Sequence, residues 1–460
     1  MKYDLIVIGG GPAGYVGAIR ASQLGKKVAV VDFDRPGGTC GNWGCIPTKA
    51  LLKTAELYHV MKHRAAEFGM SVEGLSFDWD KIISRSRKVS DKSSSGVSFL
   101  FKKNKIDYIP GSASLAGGGK VDVTDKDGKV STLEGAKILI ATGCATRDLP
   151  GLPFNGKTVI GSKEALTLSP QPKDIIIIGA GAIGIEFAYF YNAYGTKVTV
   201  IEMQPNVLPV EDTDVSIALE KSLKKTGMTI LTSTKVTATK DTGSGVEITV
   251  EGPDGKSQVL SAGVALIAIG VKPVLPGGQQ PKLTDRGYIA TDANYQTSLK
   301  DVYAAGDIIG PPWLAHVASY EAIQCVEGLY EGKKPKKVTT FPGCTYCHPQ
   351  VASVGLTERA AKEKGLKYKV GVFPFMASGK ASAVGETDGF VKLIYGEPHG
   401  EVIGAHIIGD QATELIAEMG LAITAELTKD DIHATMHAHP TLSEAIHEAT
   451  GVAEGHPIHL

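Results

Sequence analysis

One arrangement occurs twice in this chain and limits its fold more than any other feature. From Asp4 the sequence reads DLIVIG, GGPAG, a stretch with helical spacing, and KKVAVVD ending at Asp32. From Asp174 it reads DIIIIG, AGAIG, a second such stretch, and TKVTVIE ending at Glu202. Gly9, Gly11 and Gly14 thus reappear as Gly179, Gly181 and Gly184, and Asp32 as Glu202, each displaced by 170 positions. A lone Gly-x-Gly-x-x-Gly is a weak signal. Here it follows an apolar strand, opens a helix, ends at a carboxylate after a second strand, and does so twice. That context points to two dinucleotide-binding βαβ units.

The residue types suit that chemistry. The first glycine makes a tight turn, the second lets backbone approach a pyrophosphate, and the third allows the helix to pack closely on the strand. The helix N-terminus offers N–H groups and partial positive charge to phosphate. Asp32 and Glu202 are placed to accept hydrogen bonds from adenosine ribose hydroxyls. The alternative is a glycine-rich turn that holds no ligand, and the second copy speaks against it.

Each unit is followed by a hairpin turn, DKDGK or GPDGK, and by an apolar strand closed by glycine. These strands are KILIATG, ending in Thr142 and Gly143, and VALIAIG, ending at Gly270. A third, VYAAGD, ends at Gly306 and Asp307. The second nucleotide unit therefore reads as inserted into the first. Past residue 340, VASVGL, FVKLIY and EVIGAHIIG look like strands, and TELIAEMGLAITAE is apolar at helical spacing. The expected class is α/β, with two Rossmann-like dinucleotide-binding domains, one inserted in the other, and a C-terminal α+β domain. The expected segments are 1–146, 147–274, 275–340 and 341–460.

Composition narrows the partners. A length of 460 residues, 43% hydrophobic and 21% charged, suits several globular domains. A net charge of −1 with no long basic run argues against nucleic acid. No apolar run reaches the roughly 18 residues of a membrane span. The N-terminus enters a strand and glycine turn directly, so a reducing, cytoplasmic setting is expected. There, close cysteines are more often catalytic or metal-binding than structural.

Two nicotinamide sites would have no strong acceptor to join them, whereas a flavin in one and a nicotinamide in the other makes a hydride relay. Cys40 and Cys45, in GGTCGNWGCIPTK, follow the N-terminal copy, which is therefore assigned to FAD. The second copy takes the nicotinamide. Glu202 suits the 2′-hydroxyl of NAD and would repel the 2′-phosphate of NADP, and MQPNVLP after it brings no arginine or lysine. Gly-Asn-Trp-Gly can fold so that the two sulfurs meet. Pro47 fits the first turn of a helix, which would place Cys45 near a helix N-terminus and favour its thiolate. Cys40 would be better exposed to an outside thiol, and the pair could pass two electrons by thiol exchange. Half a zinc site lacks a second cysteine pair in the unit; two inert buried cysteines stay open. HAHPTLSEA, 437–445, offers a base: His439, with Glu444 to orient its ring, or a capping box at Thr441 and Glu444, with His437 as a rival imidazole.

Together these motifs resemble the class I pyridine nucleotide–disulfide oxidoreductases over essentially the whole chain. The cysteine and histidine motifs carry the resemblance; the glycine turns alone would not. It implies a homodimer with a C-terminal dimerisation domain, each active site taking its base from the other subunit. It implies that Cys40 is the interchange thiol, Cys45 the flavin-proximal charge-transfer thiol, His439 the base and Glu444 its partner. Lys49 would lie near the flavin, paired with Glu186 at the nicotinamide side. Thr142, Gly143, Asp307, Ala315 and His316 would line the FAD site, and Gly270 the NAD site. The implied activity is oxidation of a dihydrolipoamide group by NAD, on a lipoyl-bearing protein of a 2-oxoacid dehydrogenase or glycine cleavage complex. An NADPH-dependent disulfide reductase and a non-catalytic flavoprotein scaffold are the alternatives. No resident metal is expected. The chain departs from the pattern at Cys344, Cys347 and Gln350, where an apolar residue, threonine and glutamate are usual. CTYCH at 344–348 matches a haem-attachment spelling, with a regulatory disulfide or ordinary packing as the other readings. Cys144 and Cys325 read as small core residues.

Overall fold

The computed structural model describes residues 2–460. They form two compact units, one of residues 2–51, 78–147 and 270–338 and the other of 52–77, 148–269 and 339–460.

In the first unit, strand β1 (Lys2–Ile8) leads through the glycine turn into helix α1 (Pro12–Gln23) and strand β2 (Val28–Asp32). β1 and β2 pair in parallel, and all five residues of β2 are buried, as expected of a strand covered on both faces. The chain then forms two helices in succession, α2 (Gly38–Trp43) and α3 (Cys45–His63), and a long helix, α4 (Trp79–Lys103). The α4 face at Trp79, Ile82, Ile83, Ser86 and Ser90 is buried, at the spacing of one helical stripe. The strand Val130–Ile140 serves twice. Its first half is antiparallel to Lys120–Thr124 across the DKDGK turn, and its second half is parallel to β1. Gly277–Gly278 and then Val302–Ala304 join the same sheet, the latter in parallel with Val130–Ile140, so the chain returns to it after the second nucleotide unit's sequence.

The second unit repeats the parallel core. Its strand order runs Thr229–Leu231, Lys197–Ile201, Asp174–Ile178, Val264–Ile267, Val159–Ile160. A three-stranded antiparallel sheet spans 235–262 with GPDGK at one of its turns, and a five-stranded antiparallel sheet spans 343–409. Phe390–Gly396 and Val402–Gly409 are almost wholly buried strands of that sheet, and the helix Ala412–Thr424 packs on it. Lys392 is only 1% exposed there, yet its Nζ donates to Asp212 at 2.8 Å, Asp214 at 2.6 Å and Glu358 at 2.9 Å. Burial pulls its pKa down, but the three carboxylates outweigh this and hold the ammonium charged.

Candidate active site

The two glycine turns share one geometry. Gly9 has φ +106° and Gly179 φ +105°, and a Cβ on either would lie 2.3 or 2.4 Å from the carbonyl oxygen of Ala141 or Ala268 on the neighbouring strand. A Cβ on Gly14 would lie 1.8 Å from Gly9 O, and on Gly184 2.0 Å from Gly179 O, so each helix rests directly on its turn. Neither helix has a side-chain cap: Gly11 and Gly181 are the N-caps, which leaves backbone N–H groups for a phosphate. Asp32 accepts from the N–H of Gly10, and Glu202 accepts from Ala180 N at 2.8 Å. Burial raises the pKa of Asp32 more than the N–H groups of Asp34, Gly10 and Phe33 lower it.

The other residues of the expected FAD site fall as follows. Thr142 Oγ1 is buried and has no hydrogen-bond partner among the described residues. Gly143 follows it with φ +67°. Burial pushes Asp307 up to about 6. Ala315 and His316 open the helix Ala315–Glu331, whose N-terminus also has no side-chain cap. Bare helix ends, a stranded hydroxyl and cradles that a Cβ would fill suit a dinucleotide at each turn.

The cysteine loop lies on the first turn. Gly37 N donates to Gly10 O at 2.9 Å, and a Cβ on Gly38 would come within 2.4 Å of Gly11 Cα. Cys40 sits in α2, and Cys45 is the first residue of α3 with Pro47 in its first turn, as the motif predicted. Both are half-buried thiols, not bridged. A hydrogen bond to Cys45 raises the pKa of Cys40, and burial adds to it, while the nearby Lys49 ammonium pulls the other way. The two thiols therefore lie within hydrogen-bonding reach of one another, with Cys45 at a helix N-terminus. Tyr15 is close enough that Cys40, after burial, helps raise its pKa. The sequence reading missed Tyr15 because an aromatic residue in an otherwise small-residue helix has no distinctive spacing.

Glu444 serves both His439 and Thr441, but no capping box forms, because the N-cap of the helix is Ser443 and carries no side-chain hydrogen bond. Glu444 Oε1 bonds His439 Nδ1 at 2.9 Å, while Oε2 accepts from Thr441 N at 2.8 Å. Burial raises Glu444, but the Thr441 N–H and then the His439 ring outweigh it and keep the carboxyl ionised. The helix starts at Glu444 and runs to Glu454, three residues later than Thr441, because the Thr441 hydroxyl turns back to Ala438 O. His437 also meets a carboxylate, Glu418, at 2.8 Å, but its other nitrogen contacts Thr435 O at 3.1 Å and its side chain is 6% exposed. His439 is 80% exposed, and its Nε2 has no partner among the described residues. Of these two imidazoles, His439 is the one open to an incoming molecule.

Comparison with known proteins agrees with this constellation. Residues 3–322 match the model of the pyridine nucleotide-disulphide oxidoreductases, and residues 341–450 match that family's dimerisation domain. The chain belongs to the pyridine nucleotide-disulphide oxidoreductase family. Among curated members, dihydrolipoyl dehydrogenase of Zymomonas mobilis is 44% identical, with 100% of this chain and 99% of that protein covered. The Bacillus subtilis enzyme of the same name is 42% identical over 100% and 99%. Among solved structures, LpdA from Mycobacterium tuberculosis superposes with a TM-score of 0.89 at 28% identity, over 97% of this chain and 98% of that one. The flavoprotein disulfide reductase RclA from Escherichia coli, crystallised as a Cu(II) complex, gives 0.85 at 25%, over 98% and 99%.

Other residues of this pyridine nucleotide-disulphide oxidoreductase fall as follows. Glu186 is buried in the helix Ala182–Ala193 and accepts from Tyr346 N at 3.0 Å. Gly270 carries φ +106°, and a Cβ there would meet nothing within 4 Å. Cys347 is 1% exposed, with its Sγ on Pro349 O at 3.2 Å, and neither it nor Cys344 is bridged. Burial of Cys347 leaves no room for a thioether to haem, and Cys344 is half-buried. Gln350 accepts from Thr413 Oγ1 at 2.8 Å at the start of the helix Ala412–Thr424, a role a neutral amide fills as a carboxylate would. Cys325 is a buried core residue, whereas Cys144 is half-buried and donates to Asp307 O at 3.3 Å. Among the described residues no helix is long and apolar enough to cross a membrane, and no cluster of three ligands could hold a metal.

Proposed function

We propose that this chain is a dihydrolipoyl dehydrogenase, oxidising the dihydrolipoamide of a lipoyl-bearing protein to lipoamide with reduction of NAD+ to NADH. The observation that carries this reading is a thiol pair in mutual contact on a loop that lies against a dinucleotide turn. The segments 1–146 and 275–340 would hold FAD, 147–274 NAD, and 341–460 the interface of a homodimer. The carrier would belong to a 2-oxoacid dehydrogenase or glycine cleavage complex, in the cytoplasm.

FAD would supply a group that accepts two electrons from the thiols and yields them as hydride to NAD+. Its pyrophosphate would rest on Gly9, Gly11 and Gly14, its ribose on Asp32, and the rest on Lys49, Thr142, Gly143, Asp307, Ala315 and His316. NAD would rest on Gly179, Gly181 and Gly184, with its ribose hydroxyls on Glu202 and its remainder near Glu186 and Gly270.

The thiol chemistry follows from the side chains. His439 Nε2, supplied by the second subunit, takes the proton of one dihydrolipoamide thiol, and Glu444 stabilises the imidazolium. The sulfur attacks Cys40 in the Cys40–Cys45 disulfide, and Cys45 leaves as thiolate at the helix N-terminus. The second substrate sulfur then displaces Cys40, closing the cyclic disulfide and leaving the proton on Cys40.

The test is a pair of assays on the purified yellow protein. Dihydrolipoamide with NAD+ should give rapid NADH formation, and glutathione disulfide with NADPH should give little turnover. The reverse preference would make it an NADPH-dependent disulfide reductase. Flavin binding without turnover in either assay would make it a scaffold subunit.

A further inference from the structure

The last carbonyls of a helix have no partners within it. In α2 these belong to the segment between the two cysteines, and α4 supplies their donors. Ser90 Oγ lies 3.0 Å from Gly41 O and 3.3 Å from Asn42 O, and Arg87 Nη2 donates to Asn42 O at 2.8 Å. The grip extends into α3, where Ser86 Oγ donates to Pro47 O at 2.8 Å and Arg85 Nη1 to Ala50 O at 2.9 Å. Ser86 and Ser90 are completely buried. The Arg87 guanidinium also lies over the Trp43 indole, 4.3 Å from its centroid, and Trp43 Nε1 donates to Asp34 at 2.6 Å. One side chain thus fixes two consecutive residues, Asn42 and Trp43, just before the Gly44 break that separates the helices carrying the sulfurs.

We propose that Arg87 is a positioning residue for the thiol pair: holding the Asn42 carbonyl and the Trp43 ring, it keeps Cys40 and Cys45 within bonding reach as thiols and so sets the balance between dithiol and disulfide. This rests on the redox reading of the pair given above. The argument is one of effective concentration. Closing the disulfide is an intramolecular step, favoured in proportion to the time the second sulfur spends beside the first. A loop free to shift at Trp43 would lower that fraction in the dithiol.

The experiment equilibrates the holoprotein anaerobically with glutathione and its disulfide, in the balanced exchange of one protein disulfide and two glutathiones for one protein dithiol and one glutathione disulfide. Acid quenching, alkylation and the mass of the peptide bearing both cysteines give the equilibrium constant. Arg87→Met should shift it about tenfold toward dithiol, equivalent to about 30 mV. Arg87→Lys, which keeps the charge over the ring but loses the planar fork, should shift it about threefold. Trp43→Phe should give a shift of similar size, and combining it with Arg87→Met should add less than the sum. A lowered melting temperature with an unchanged equilibrium constant in all three variants would overturn the positioning role. If the wild-type pair forms no disulfide at any glutathione ratio, the redox reading itself fails, which is a different result.

Discussion

Gly11 and Gly181 hold the same place in two βαβ units, yet a methyl group on each would meet different surroundings. On Gly11 it would lie 3.7 Å from Gly38 Cα, and on Gly181 it would find nothing within 4 Å. The backbone is otherwise shared, down to φ angles one degree apart at Gly9 and Gly179 and a carboxylate on each turn N–H. In both units the chain after the second strand returns to the turn, with Gly37 N on Gly10 O at 2.9 Å and Leu208 N on Ala180 O at 2.8 Å. Only in the first does the next residue, Gly38, come up against the N-cap glycine, while Gly181 stays open. On the proposed function the two copies would serve two kinds of occupancy. A covered turn suits a prosthetic group that stays, and an open one suits a coenzyme that must leave after each turnover.

Several substitutions would break or sharpen that contrast. The largest effect is expected from Gly38→Ala. Gly38 has φ +57°, and its Cβ would collide with Gly11 backbone, so the loop must lift off the turn. The purified variant should carry less than about a tenth of the wild-type flavin absorbance and show no turnover; a fully yellow, active variant would show that the loop does not seal the turn. Next, His439→Gln should slow dihydrolipoamide oxidation by roughly 10²–10⁴-fold, while NADH oxidation by a small dye stays near wild type. Equal loss in both assays would place His439 outside the thiol half of the reaction.

Gly181→Ala should fold and stay yellow, because its φ of −70° suits alanine, but the methyl would fill the approach to the phosphates. Its KM for NAD+ should rise about tenfold with flavin content unchanged, and an unaltered KM would move the nicotinamide elsewhere. The smallest effect on turnover concerns Glu211, in the segment leading from Leu208. It is 7% exposed, Oε2 has no partner among the described residues, and burial pushes it up to about 7 from an ordinary 4.5. A carboxyl raised on folding is protonated in the native chain where the unfolded chain has already ionised. Stability from this group therefore falls as pH rises from about 4.5 and levels off above about 7, by on the order of 3 kcal/mol. Glu211→Gln should melt increasingly above wild type as pH goes from 5 to 8, and a constant gap would remove the titration from the account.

Features fixed by short-range spacing were readable before any coordinates. The two turns, both hairpins, the C-terminal strands and the start of α3 at Cys45 follow from period, glycine placement and Pro47. Readings that needed distant partners were not. HAHPTLSEA offered two imidazoles, and the choice depended on Glu418, from a helix far along the sequence, occupying His437. Ser86, Arg87 and Ser90 look like the polar side of a surface helix, because nothing local shows that their partners are the carbonyls of α2 and α3.

Lys392 sits at a junction of the second unit that has no spare parts. Its three carboxylates come from residues 212, 214 and 358, so the ammonium ties the 212–214 segment to the dimerisation segment from inside. Expressing residues 148–269 alone would leave Asp212 and Asp214 facing one another with no counter-ion. Trimming this enzyme into a minimal coenzyme-binding module therefore calls for redesigning that seam first, by replacing the acidic pair with neutral side chains of similar volume.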